Sequence, residues 1–172
     1  DIQMIFQDPF SSLNPKMSIK SILEDVYKTH YQSNFLDMNN DLKITLSKLN
    51  LPSNNSFLNS FPNQLSGGQL QRISIARALL IKPRILICDE SLNMLDASVK
   101  IEILQLLRNI QNEMNLSIIF ITHDLSLAQK FCNRLIVMDK GSIVENGDSL
   151  KIFKNPQHVV TKTLIKNSLN IN

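Results

Sequence analysis

Two carboxylates stand side by side at Asp89-Glu90, directly after the apolar run Ile85-Leu86-Ile87-Cys88. Four apolar residues in a row predict a buried strand of a parallel sheet. Ligands bind in open α/β sheets where such strands end. Neighbours on a strand point opposite ways, so the two carboxylates can reach different targets. One can hold Mg²⁺ near phosphate oxygens, and the other can take a proton from water. The competing reading is a strand that closes on a solvated acidic turn.

A second candidate is Leu65-Ser66-Gly67-Gly68-Gln69. Ser66 followed three residues later by Gln69 has the form of a capping box at a helix start. Two glycines between them leave the first helical amides without side-chain cover, and a helix N-terminus of that kind suits an anion such as phosphate. An ordinary capped helix with a tight approach turn uses the same residues. Gln7 ends a predicted strand, Ile2 to Phe6, where a side-chain amide can reach a ligand or a metal-bound water. His123 ends another, the predicted buried strand Ser117 to Ile121 followed by Thr122, where it can donate to a phosphate. Alone, Gln7 reads as a surface residue and His123 as a structural histidine. His30 and His158 read as structural or solvated residues.

The elements that must carry these residues alternate in type. After the first strand, Gln7 to Pro15 holds two prolines with Asp, Ser and Asn, and reads as a loop. Helices are predicted over Ser18 to Tyr31 and Asp41 to Leu49, with Ser18 as cap and Gln32 to Asn40 as a polar loop between them. Ser56 to Phe61 reads as a short helical turn. Gly68 to Ile81 reads as the helix opened by Ser66, ended by Lys82-Pro83. A long helix capped by Asp96 or Ser98 runs to about Met114, and Asp124 caps another through Phe131. Arg134 to Met138 and Ile143 to Glu145 flank a hairpin turn, Asn146-Gly147-Asp148 turns again, and Leu150 to Lys166 is helical with a break near Asn155-Pro156.

The 172 residues are enough for one domain with a real core. A 43% hydrophobic content with mean hydropathy −0.05 describes a soluble globular chain. No apolar run approaches the length of a membrane span, no signal peptide is visible, and the start at Asp1-Ile2-Gln3 suggests a fragment of a longer chain. A net charge of +3 is too small and too scattered to argue for nucleic acid. Cys88 and Cys132 lack CxxC spacing and read as buried, reduced thiols of a cytosolic protein, a metal pair being the alternative.

The order is strand-Gln7, helical insert, Ser66-Gly67-Gly68-Gln69, strand-Asp89-Glu90, Asp96, strand-His123. It resembles the second part of an ATP-binding cassette (ABC) transporter ATPase subunit over nearly the whole chain. That resemblance implies an α/β fold, a P-loop NTPase-like parallel sheet flanked by helices with a small helical subdomain inserted. The implied parts are 16–81 for the helical subdomain with the signature, 82–147 for part of the core, and 148–172 for a C-terminal helical tail.

The resemblance also implies roles. Gln7 is similar to the Q-loop glutamine, which senses Mg²⁺ and water and couples to the membrane domain. Asp89 resembles the Mg²⁺ ligand of a Walker B motif, Glu90 the general base, and His123 the switch histidine on the γ-phosphate. Ser66, Gly67, Gly68 and Gln69 resemble the signature that binds the γ-phosphate of ATP held by the opposite subunit, and Asp96 the aspartate at the dimer interface. ATP and Mg²⁺ are the implied cofactors. The implied partners are a second ATPase subunit (identical or paralogous), transmembrane permease subunits and, indirectly, an extracytoplasmic substrate-binding protein. The place is the cytoplasmic face of the membrane.

Phe6 to Pro15, and Asn155-Pro156-Gln157-His158 with Thr161 to Leu164, are similar to the peptide and nickel importer branch, and Phe131 to Glu145 fits its nickel-type subunit, which implies an energy-coupling ATPase for import of peptides, nickel or metal chelates. Val159-Val160 and Asn93-Met94 depart from the branch's usual Pro-Tyr and Ser-Ala, which bears on the cargo more than on the ATPase. No iron–sulfur cluster is expected. None of the four glycines opens a Gly-x-x-x-x-Gly-Lys-Ser/Thr phosphate loop, so the isolated chain is expected not to hydrolyse ATP, although the intact protein would. A soluble, non-transport ABC ATPase and an inactive, decayed fragment are the alternatives.

Overall fold

The computed structural model describes residues 1–31 and 35–169, and these fall into two compact units, Asp1–Ile121 and Thr122–Asn172. The first holds a three-stranded parallel sheet in the order β1 (Ile2–Ile5), β2 (Ile85–Asp89), β3 (Ser117–Ile121). Ile2 lies opposite Ile85, Cys88 opposite Phe120, and Asp89 opposite Ile121. All three strands therefore run out at the same edge, as the alternation of apolar runs with helical periodicity predicts. In the central strand β2, Leu86 and Cys88 are fully buried while Ile85 and Ile87 are only partly so.

Between β1 and β2 lie the helices α1 (Pro9–Ser12), α2 (Ile19–His30), α3 (Phe35–Lys48), α4 (Asn55–Leu58) and α5 (Gly67–Leu79), with a 3-10 turn at Pro62–Gln64. The Ser18 hydroxyl accepts from the Ser21 amide and starts α2, whose Ile19, Ile22, Leu23 and Tyr27 turn inward. Met38, Leu42 and Leu46 repeat every fourth residue along α3 and are buried. α5 is enclosed on most sides, with Leu70, Ile73, Ile75, Ala76 and Leu79 buried, and it packs against α1, α2, α3 and β1. After β2, α6 (Ala97–Met114) buries Ile103, Leu106, Leu107 and Ile110. It stops at Asn115, whose left-handed φ of 54° asparagine tolerates better than most residues.

The second unit opens with α7 (Leu125–Phe131), capped by the Asp124 carboxylate on the Leu127 amide. Strands β4 (Arg134–Asp139) and β5 (Ser142–Asp148) form an antiparallel hairpin. Its turn residues Lys140 and Gly141 both have positive φ, as a two-residue hairpin turn requires. Helices α8 (Ser149–Lys154) and α9 (Val159–Leu169) follow, separated at Asn155-Pro156 as expected. Ala128, Leu135, Val137 and Ile152 form the core of this unit.

Five expectations need correction. Pro9–Ser12 is a helical turn within the expected loop, because Asp8 caps it and proline suits a first helical position. Residues 35–40 extend α3, since burial of Met38 outweighs the weak helix propensity of Asn39 and Asn40; the rest of the expected loop, 32–34, lies outside the described residues. Asn146-Gly147-Asp148 continues β5, because each residue pairs with Arg134 to Ile136. β3 is an edge strand of the described sheet with Ile119 and Ile121 about half exposed. Cys88 is buried, but Cys132, at the end of α7, is only partly so.

Candidate functional site

Gln7 lies two residues past the end of β1 and is exposed. The turn that follows it is tied locally. The Asp8 carboxylate accepts from the Phe10 amide at 2.9 Å, and the Ser12 amide reaches the Asp8 carbonyl at 3.3 Å. Pro9 and Leu13 anchor this turn in the core.

Asp89 closes β2 on the neighbouring strand, partly exposed. Glu90 departs from the strand geometry expected of it. Its φ is +44°, a left-handed conformation that places a non-glycine residue under strain of about 1–2 kcal/mol. Its amide donates to the Ile121 carbonyl at 3.0 Å, and its carbonyl accepts from Asn93 at 3.1 Å. The backbone therefore leaves strand geometry at Glu90, and strand alternation does not set the direction of its side chain. Asp89 and Ile121 are register partners, so β2 and β3 end level with each other. The chain continues from Ile121 through Thr122 to His123, which is exposed in the second unit.

The capping box is formed as read. The Ser66 amide donates to Oε1 of Gln69 at 3.0 Å and the Gln69 amide donates to Oγ of Ser66 at 3.3 Å. The amides of Gly67 and Gly68 come before the first intrahelical bond, Leu70 N–H to Ser66 carbonyl at 2.9 Å. A Cβ at Gly68 would lie 3.0 Å from Cγ1 of Val99, so glycine here permits close approach of α5 and α6. The starts of these two helices frame a cleft of about 680 Å³ lined by Ser66, Gly67, Gly68 and Gln69 together with Met94 and Asp96. The structure thus gathers the signature residues and Asp96 in one place. Asp96 begins α6 without a side-chain capping bond.

Two arginines of α5 escaped the reading of the sequence. Arg72 pairs with Glu102 of α6 at 2.7 Å and donates to the Leu49 carbonyl at 3.3 Å, bracing the cleft. Arg77 donates to the Ser12 carbonyl at 2.5 Å, and burial lowers its pKa below the usual guanidinium range. Their signal was available. A cation on a helix otherwise enclosed by apolar neighbours must find a partner or remain at great cost.

The oxygen-bearing groups at the ends of β1 and β2, the Gln7 amide and the Asp89 carboxylate, are hard ligands that suit Mg²⁺. Among the described residues no cluster of three or more His, Cys, Asp or Glu could hold a metal by itself. Among the described residues, no helix is long and apolar enough to cross a membrane.

The sequence model of the ABC transporter family matches residues 1–93. The oligopeptide transport ATP-binding protein OppF of Salmonella typhimurium is 43% identical over 166 residues, covering 96% of this chain and 49% of that protein. The chain spans about half the length of the curated relatives it matches most strongly. Among solved structures, cbiO1 of Clostridium perfringens, part of the ABC transporter complex cbiONQ, is similar with a TM-score of 0.77 at 25% identity, over 99% of this chain and 63% of that one. An ATP-binding cassette in a dimeric post-hydrolysis state bound to ADP and Pi aligns with a TM-score of 0.73 at 29% identity, over 87% of this chain and 63% of that one. Family model, relatives and fold agree: the chain belongs to the ABC transporter family.

Proposed function

We propose that this chain is the part of an ABC importer's energy-coupling subunit that carries the Q-loop, signature and hydrolytic carboxylates. The observation that carries this reading is that β1 and β2 end side by side in a parallel sheet and lead into Gln7 and Asp89-Glu90 at one edge. In the intact ATPase, Mg²⁺ bound with ATP supplies charge neutralisation at the phosphates. Asp89 would hold the ion through a water, and Gln7, which follows the adjacent strand β1, would sense it. Glu90 accepts the proton of the attacking water. His123 donates to the γ-phosphate. Strain at Glu90 supports a base fixed in one orientation, because such φ values persist where the surroundings over-determine them.

The cleft at the start of α5 offers Gly67 and Gly68 amides to a phosphate held by an opposite subunit, with Asp96 at that interface. A structural relative described as dimeric and bound to ADP and Pi supports a paired arrangement. The assembly would dock on permease subunits at the cytoplasmic face of a membrane. Its cargo would be a peptide, delivered through a substrate-binding protein. The name of the 43% identical relative favours peptide over nickel. The division into 16–81, 82–147 and 148–172 belongs to the same proposal.

The test is Glu90→Gln in the ATPase that contains this chain. Turnover should fall by roughly 10²–10⁴, the usual contribution of a general base, with ATP binding retained. Unchanged turnover would remove Glu90 from the chemistry.

A further inference from the structure

The α5 helix carries the signature at its first turn and Arg77 eleven residues after the Ser66 cap, about 16 Å further along a rigid rod. Arg77 is partly buried, and among the described residues its hydrogen bond goes to the Ser12 carbonyl, 65 residues away in sequence. Ser12 is the last residue of α1, the helical turn that begins two residues after Gln7. The carbonyls at a helix end lack intrahelical partners, and a cation there satisfies both the hydrogen bond and the dipole. The rest of that turn is already closed. Asp8 caps its start through the Phe10 amide, and the Ser12 hydroxyl returns to the Pro9 carbonyl at 3.1 Å. Among the described residues Arg77 is thus the polar tie from α5 to a turn whose other hydrogen bonds are internal, and no carboxylate pairs with it.

We propose that Arg77 is a positioning residue for Gln7: by gripping the Ser12 carbonyl it fixes the turn after Gln7 to the helix that carries the signature. Gln7 and Ser66–Gln69 are thereby held in a set relation through one rigid element. A half-buried cation with one neutral acceptor is a poor choice for stability alone, since an apolar side chain of similar length would fill the same space without desolvating a charge. The functional half of this inference rests on the role proposed for Gln7. The geometric half does not.

The test compares Arg77→Met, which keeps length without a donor, with Arg77→Lys, which restores one. Backbone hydrogen exchange of the 172-residue chain is followed at residues 8–13 and 66–70. Arg77→Met should speed exchange at 8–13 by about tenfold or more, the effect of losing a hydrogen bond to a charged donor. Residues 66–70 should be unchanged, and Arg77→Lys should recover most of the protection. In the ATPase that contains the chain, Arg77→Met should lower kcat several-fold at unchanged KM for ATP, and Arg77→Lys should restore it. Unchanged exchange at 8–13, equal failure of the Lys and Met variants, or a kcat unaffected by Arg77→Met would each overturn the proposal. Glu90→Gln run in parallel reports separately on the ATPase reading. Loss of turnover there with normal kcat in Arg77→Met would refute only the positioning role.

Discussion

Replacing Gly68 by alanine sets a methyl carbon 3.0 Å from Cγ1 of Val99, whereas the same change at Gly67 meets nothing closer than Cδ2 of Leu95 at 3.6 Å. The second distance is ordinary contact and the first is too short. Both positions lie in the first turn of α5 and neither has a positive φ, so both gain from alanine's helix propensity. That gain is at most about 1 kcal/mol, and roughly half that near a helix start. Val99 is β-branched and sits in the first turn of α6, so its χ1 has little freedom to move the methyl away. Overpacking of this kind costs about 1–3 kcal/mol. Gly67→Ala should therefore be neutral or stabilising by about 0.5 kcal/mol, and Gly68→Ala destabilising by about 1 kcal/mol, a loss of roughly 3 °C in Tm. Urea unfolding with an unchanged slope measures both. Adding Val99→Ala to Gly68→Ala should recover the loss, a coupling that a double-mutant cycle isolates. Equal stability of the two alanine variants would refute the claim that Gly68 exists for close approach of α5 and α6.

Glu90→Gly should raise stability by about 1 kcal/mol, because glycine adopts φ +44° without strain; thermal unfolding checks it, and a lower Tm would remove strain from the account. Glu145 accepts from the Gln157 and His158 amides at 2.9 and 3.0 Å, just before α9. Thr161 together with those two amides holds its carboxyl below the ordinary 4.5, and the two amide bonds are the ones the geometry forms. Its contribution should be complete above about pH 4.5 and lost as pH falls through the lowered value. Exchange protection of α9 should therefore weaken in acid, and Glu145→Gln should flatten that dependence. Asp41 accepts from both Lys82 at 2.9 Å and the Tyr27 hydroxyl at 3.0 Å. Lys82→Met should cost about 0.5–1 kcal/mol as an exposed pair, and Asp41→Ala should cost more because it also strands Tyr27; equal losses in chemical denaturation would contradict this.

Much of this arrangement was legible because local chemistry and tertiary structure agree. Ser66 and Gln69 read as a capping box and form one, and the apolar runs before Gln7, Asp89 and His123 read as strands and pair in parallel. Elements that were missed depend on long-range packing. Met38 draws Asn39 and Asn40 into α3, and Arg134 to Ile136 hold Asn146 to Asp148 in a strand despite their turn chemistry. Alternation along a strand suggested how Asp89 and Glu90 diverge, but the hydrogen bond from Glu90 to Ile121 turns the backbone left-handed instead. The partners of Arg72 and Arg77 lie 23 and 65 residues away by hydrogen bond, beyond any local pattern.

The central claim is that the ends of β1, β2 and β3 carry the hydrolysis of ATP, with Glu90 as the base. The most direct measurement is single-turnover cleavage of ATP by the ATPase that contains this chain, with Glu90 and with Glu90→Gln. The account predicts a cleavage rate lower by about 10²–10⁴ in the variant, with ATP bound as tightly as before. Cleavage at an undiminished rate in Glu90→Gln would contradict it.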